Sequence, residues 1–204
     1  MKKDKIIFIP SVINTDIGDL TLVKSLVKYA DSNEMEYEVI YTSDFHKSLI
    51  EIELIIENRI KQNMDYNIHV VVFGVSCNLK IENVKTIILI SPILETNKLI
   101  TTFKKDCVYL EELNMYDHLG ELVDEQVLLD LLIEKDYSWF DNIEKILLIN
   151  GTMNSYCDPV NSAIFSSNHS IEYLGLEDMD TSISEFYNRQ FVFQEVLEFI
   201  FQAD

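Results

Sequence analysis

Ser76 is the side chain whose neighbours best equip it to act as a nucleophile. It lies in Val70-Val-Val-Phe-Gly-Val-Ser-Cys-Asn78, where β-branched and apolar residues read as a buried strand. The strand runs into Gly74-x-Ser76-x-Asn78, one residue short of the G-x-S-x-G nucleophile elbow. In that device the serine sits on a strained turn that lifts its hydroxyl above the sheet. A serine hydroxyl stays a weak nucleophile until a base takes its proton, so the positions of the histidines matter. His46 follows an expected strand at its carboxyl end, on the same side as Ser76, and His118 lies in a segment expected to fold over it. His169 precedes the last expected strand and so falls at the opposite end of the sheet. Cys77, with no basic residue beside it to lower its pKa, reads as a buried, inert thiol.

Other chemistries find fewer residues. The five glycines (18, 74, 120, 151 and 175) assemble neither G-x-G-x-x-G nor a Walker sequence. No His, Cys or carboxylate spacing suggests zinc, and Glu111-Glu112 and Glu177-Asp178-x-Asp180 lack a calcium-loop pattern. No cofactor and no metal is therefore expected.

Short apolar runs alternate with helical patterns along the chain. Strands are expected at Lys5–Pro10, Tyr37–Thr42, His69–Phe73, Thr86–Ser91, Lys145–Asn150 and Ser170–Leu174. Helices are expected at Asp19–Ala30, at Ser48–Gln62 with Ser43 or Asp44 near its start as caps, and at Phe186–Phe201. Continuously apolar strands separated by helices predict a parallel sheet covered on both faces, with the ligand site outside the carboxyl ends of the strands. The result is a three-layer α/β/α domain over residues 1–204 with a mainly parallel sheet of about six strands. Residues 95–143 break the alternation and read as a small helical, lid-like insertion that includes a helical run from Glu121 to Glu134.

Composition narrows the partners. The 204 residues are 48% hydrophobic, enough for one sizeable core. A formal net charge of −19, from 35 acidic and 16 basic residues, excludes a nucleic-acid footprint and leaves open an acidic face for a basic partner. No run approaches the roughly 18 apolar residues of a membrane span. The first residues lack a signal-peptide cleavage pattern, and three widely spaced cysteines make no disulfide framework. A cytoplasmic location is expected.

Taken in order, these features resemble the α/β-hydrolase superfamily. The elbow-like Gly74-x-Ser76 is followed by a strand ending Leu89-Ile-Ser-Pro92, a lid-sized insertion, and the strand Ile146-Leu-Leu-Ile-Asn-Gly151. The turn Gly151-Thr-Met-Asn-Ser-Tyr-Cys-Asp-Pro159 is similar to the family's acid-bearing loop, and the terminal helix fits. The resemblance covers most of the chain from residue 5, minus the first two strands of a full-length member.

The resemblance implies a serine, acid and histidine triad, and the chain departs from it at three places. Asn154 stands where the acid usually is, with Asp158 four residues later as a substitute. Met179 stands near the histidine's place. Only Cys77–Asn83 separate Ser76 from the next strand, where the family has a full helix aiming its positive end at the oxyanion site. The expected function is a catalytically degenerate, hydrolase-like protein, a binding module or a subunit of a larger biosynthetic or secretion assembly. Its protein partner or small acyl ligand would be held through the lid region. The alternative is a small serine esterase, thioesterase or acyltransferase using Ser76, with Asp158 as acid and His46 or His118 as base.

Overall fold

The computed structural model describes residues 2–13, 17–41, 48–118, 121–133, 135–154, 156–180, 183 and 186–201, excepting the side chains of 17–20, 118, 121, 186 and 187. Strand β1 (Lys3–Ile9) leads to helix α1 (Ile17–Ser32), β2 (Tyr37–Val39), α2 (Leu49–Gln62) and β3 (Tyr66–Phe73). A 3-10 helix (Gly74–Asn78) then precedes β4 (Thr86–Ile90). The connection to the next sheet strand contains α3 (Thr96–Asp106), β5 (Val108–Leu110), β6 (Met115–His118), β7 (Glu121–Asp124), α4 (Glu125–Asp130) and a second 3-10 helix (Ser138–Asn142). The chain closes with β8 (Lys145–Gly151), α5 (Pro159–Asn168), β9 (Glu172–Leu176) and α6 (Phe186–Phe201).

Six strands form one parallel sheet in the order β2-β1-β3-β4-β8-β9. Alternation along the strands divides the core between its two faces. Ile7, Ile9, Val70 and Val72 face α2, α3 and the β4–β8 connection, whereas Ile6, Phe8, Val71 and Phe73 face α1 and α6. The central strands β3 and β4 are apolar on both sides because each side is covered. The expected three-layer α/β class is the one observed.

Two local expectations change. Ser48 caps α2, accepting from Glu51 N while Glu51 Oε2 accepts from Ser48 N; Ser43 and Asp44 lie outside the described residues. In the connection, β5, β6 and β7 form a three-stranded antiparallel sheet, so Glu121–Asp124 is strand and only Glu125–Asp130 is helix. The strand wins there because pairing Tyr116 with Val123 buries both side chains against the core. Asp124 then starts α4 by accepting from Gln126 N at 2.8 Å. Among the described residues, no helix is long and apolar enough to cross a membrane.

Candidate active site

The carboxyl ends of the sheet strands bring together the turn after β1, the 3-10 helix after β3, the turn after β4, and the loops after β8 and β9. The left-handed backbone in the β3 turn belongs to Gly74, with φ 54°, a conformation that glycine adopts without a Cβ penalty. Ser76 comes two residues later, inside the 3-10 helix, and is 0% exposed. Its hydroxyl donates to the carbonyl of Pro10 at 2.6 Å. The hydroxyl therefore points back to the end of β1, and the lifted position that an elbow gives its nucleophile is not the one it occupies.

The neighbouring polar groups are also engaged. Val75 N–H donates to Ser11 Oγ at 3.1 Å, so the first amide past the Gly74 turn is already bonded. Asn78 Nδ2 donates to the carbonyls of Val75 and Ile93, tying the turn after β3 to the turn after β4. Tyr137, from the β4–β8 connection, donates to Asn78 Oδ1 at 3.4 Å, and burial pushes its pKa up to about 12. The 3-10 helix spans five residues, too short to aim a sizeable dipole at a developing oxyanion. Cys77 is buried, with its thiol donating to Val72 O.

The β8 loop shows what Asn154 does in the acid's usual place. Its Nδ2 donates to Asn150 Oδ1 at 2.7 Å, and its Oδ1 accepts from Tyr156 N at 2.9 Å. Asn150, fully buried, donates in turn to Cys157 O and to Ser162 Oγ. The amide thus closes its own loop. Asp158 caps α5, accepting from Val160 N at 2.7 Å with Pro159 at the first helical position.

Met179 is buried in the turn after β9, and its carbonyl accepts from Met153 N at 2.9 Å. A Cβ on Gly151 would collide with that same carbonyl. The two loops that would carry acid and base are therefore in direct backbone contact, but bear an amide and a thioether at the usual places.

Of the histidines, His46 lies outside the described residues, as does the side chain of His118. His169 caps the end of α5 and packs among Tyr137, Phe140 and Phe165. His69 bonds Asp4 Oδ1 at 3.2 Å through Nε2, in the amino-terminal half of β3. Among the described residues, then, no imidazole is bonded to Ser76, and no group of three His, Cys or carboxylate side chains is placed to hold a metal ion.

The reading of the sequence named Ser91 only as part of a strand end, and did not single out the Asn78 staple or the Asn150–Asn154 network. Ser91 follows β4 at φ 48°, and its buried hydroxyl has no hydrogen-bond partner among the described residues. A serine before a proline at a strand end was the available signal for it.

No protein-family model matches the sequence, and no curated protein matches it. Solved structures do. Est1E from Butyrivibrio proteoclasticus superposes with a TM-score of 0.66 at 12% identity, over 98% of this chain and 88% of that one. E-2-(Acetamidomethylene)succinate hydrolase gives 0.65 at 10% identity, over 98% and 92%. A putative hydrolase of the alpha/beta superfamily from Xanthomonas campestris gives 0.60 at 8%, over 99% and 100%. Near-complete coverage in both directions, together with the six-stranded parallel sheet flanked by helices, makes the architecture of this chain the α/β-hydrolase fold.

Proposed function

We propose that this chain is a hydrolase-fold protein that binds rather than hydrolyses, serving as a binding module or as a subunit of a larger biosynthetic or secretion assembly. The observation that carries this reading is the Ser76 hydroxyl, fully buried and committed to Pro10 O. A nucleophilic serine must reach substrate and must share its proton with a base; this one does neither among the described residues. Asn154 and Met179 add support: the Asn154 amide is engaged within its own loop, and a thioether cannot take a proton from a hydroxyl. The ligand, an acyl-bearing small molecule or a protein segment, would sit at the carboxyl ends of the strands beside the β4–β8 connection, where Tyr137 meets Asn78. A cytoplasmic setting accords with Cys77, Cys107 and Cys157 as free thiols.

A fluorophosphonate probe tests the reading. The folded protein is expected to remain unlabelled. Stoichiometric labelling that disappears in Ser76→Ala overturns the proposal in favour of a small serine esterase, thioesterase or acyltransferase. That second reading draws on solved structures of this fold that are named esterases. It would assign Ser76 as nucleophile, Asp158 as acid, and His46 or His118 as base.

A further inference from the structure

The six-stranded sheet has two edges, and they are finished differently. Edge strand β2 is three residues long and surrounded by neutralised charge: Lys3 pairs with Glu36, and Lys5 and Arg59 pair with Glu38. Edge strand β9 is five residues long, contains no proline, and is paired with β8 along one side. Among the described residues no strand pairs with its other side. Beside it, Leu147, Leu174 and Phe199 floor a groove of about 160 Å³ between the sheet and α6, rimmed by Glu172, Glu195 and Glu198. None of these three carboxylates makes an ion pair among the described residues.

An open parallel edge offers backbone donors and acceptors to any extended chain, and natural proteins usually protect such an edge. Here the protection is one-signed. It repels a second copy of a chain whose net charge is −19, but attracts a cationic strand. The apolar floor suits the aliphatic stem of a lysine or arginine whose charged end reaches the carboxylate rim. Side chains on an added strand would meet the groove at every second position.

We propose that β9 is a docking edge for an extended, basic segment of a partner protein. The segment adds as a further strand and places alternate Lys or Arg side chains against Glu172, Glu195 and Glu198. Backbone pairing supplies the register, and the carboxylates select the sign of the charge. The proposal does not depend on how Ser76 behaves.

The probe is a blocked synthetic hexapeptide alternating Lys and Val, titrated calorimetrically into the full chain at low salt. Three results are expected. Binding weakens by about tenfold or more in Glu172→Gln/Glu195→Gln/Glu198→Gln. N-methylation of alternate peptide amides produces a comparable loss. The peptide slows hydrogen exchange at amides 172–176. A control of equal charge change, Glu111→Gln/Glu112→Gln/Asp141→Asn, leaves affinity within about twofold if the groove, not the bulk field, is responsible. Because the side chains of the three glutamates make no hydrogen bond or ion pair among the described residues, the variants should keep the circular-dichroism spectrum of the parent. No binding at peptide concentrations of about 1 mM overturns the proposal. Equal binding by the N-methylated peptide, equal loss in the control variant, or self-association of the unliganded protein through β9 also overturns it.

Discussion

Just past the carboxyl end of β3, the Ser76 hydroxyl donates a hydrogen bond to a backbone carbonyl; in the amino-terminal half of the same strand, His69 Nε2 is hydrogen-bonded to the carboxylate of Asp4. Among the described residues, one end thus has a hydroxyl without an imidazole, and the other has an imidazole–carboxylate pair without a hydroxyl. Roughly 13 Å of strand lies between His69 and Phe73. The comparison teaches that residue types alone do not make a site. Both pairs tie β1 to β3, so each polar group is spent on holding the two strands in register. The ends differ in their sensitivity to protons. Burial lowers the pKa of His69, outweighing the opposite pull of Asp4. Burial pushes Asp4 up, but hydrogen bonds from His69 and Asn67 outweigh it and leave that carboxyl below its ordinary range.

The comparison can be broken most severely at Gly151. Replacing it with alanine drives a Cβ into the Met179 carbonyl, between two backbones that cannot both yield. A loss of about 3 kcal/mol or more is expected in urea unfolding. A loss under about 1 kcal/mol would mean that the β8 and β9 loops are not held against each other.

The next effect tests whether the carboxyl-end polar groups are structural. Ser76→Ala removes a buried hydrogen bond and should cost about 1–2 kcal/mol, rather more than a surface turn hydroxyl. Asp158→Ala should cost about 1 kcal/mol through loss of the α5 cap. The two losses should add, since a cap and a strand tie share no partner. Strong coupling in the double-mutant cycle would instead place Asp158 and Ser76 in one functional unit.

The smallest expected effect sharpens the other end of β3. With its folded pKa below the unfolded value of 6.5, His69 costs no stability above that pH and an increasing amount as pH falls below it. Asp4, also depressed, keeps its stabilising contribution until pH falls below its unfolded value of 3.8. Between about pH 7 and about pH 5 the His69 effect therefore dominates this pair, and His69→Gln should flatten the decline in stability across that window. An unchanged slope would assign the acid sensitivity elsewhere.

Much of this fold was legible before any coordinates. Val70–Phe73, Ile87–Ile90 and Ile146–Ile149 are apolar at every position, which only a strand covered on both faces tolerates. The apolar stripe of Phe193, Val196 and Ile200 likewise marks α6. The connection between β4 and β8 was less readable. Its strands are three or four residues long, and what decides them is a cross-strand partner such as Tyr116 for Val123, not local periodicity.

The turn after β3 was hard to read for a different reason. The spacing of Gly74 and Ser76 does not say which of them takes the left-handed turn, and glycine takes it at the least steric cost. Nor does the sequence show that Asn154 and Asn78 use their amides for loop closure: Asn78 depends on the Ile93 carbonyl in the turn after β4, and Asn154 on the buried Asn150 side chain at the end of β8.

Asp130 gives the β4–β8 connection its mechanical character. Its buried carboxylate accepts from Leu49 N, the first amide of α2, at 2.8 Å and from Gln126 Nε2 at 2.7 Å. Swinging this segment outward would leave the first amide of a fourteen-residue helix without its acceptor. Such a loss costs about 1–3 kcal/mol. The segment is thus a buttress: it and the first turn of α2 form one cooperative unit, and the amide of Leu49 exchanges with solvent only when both come apart.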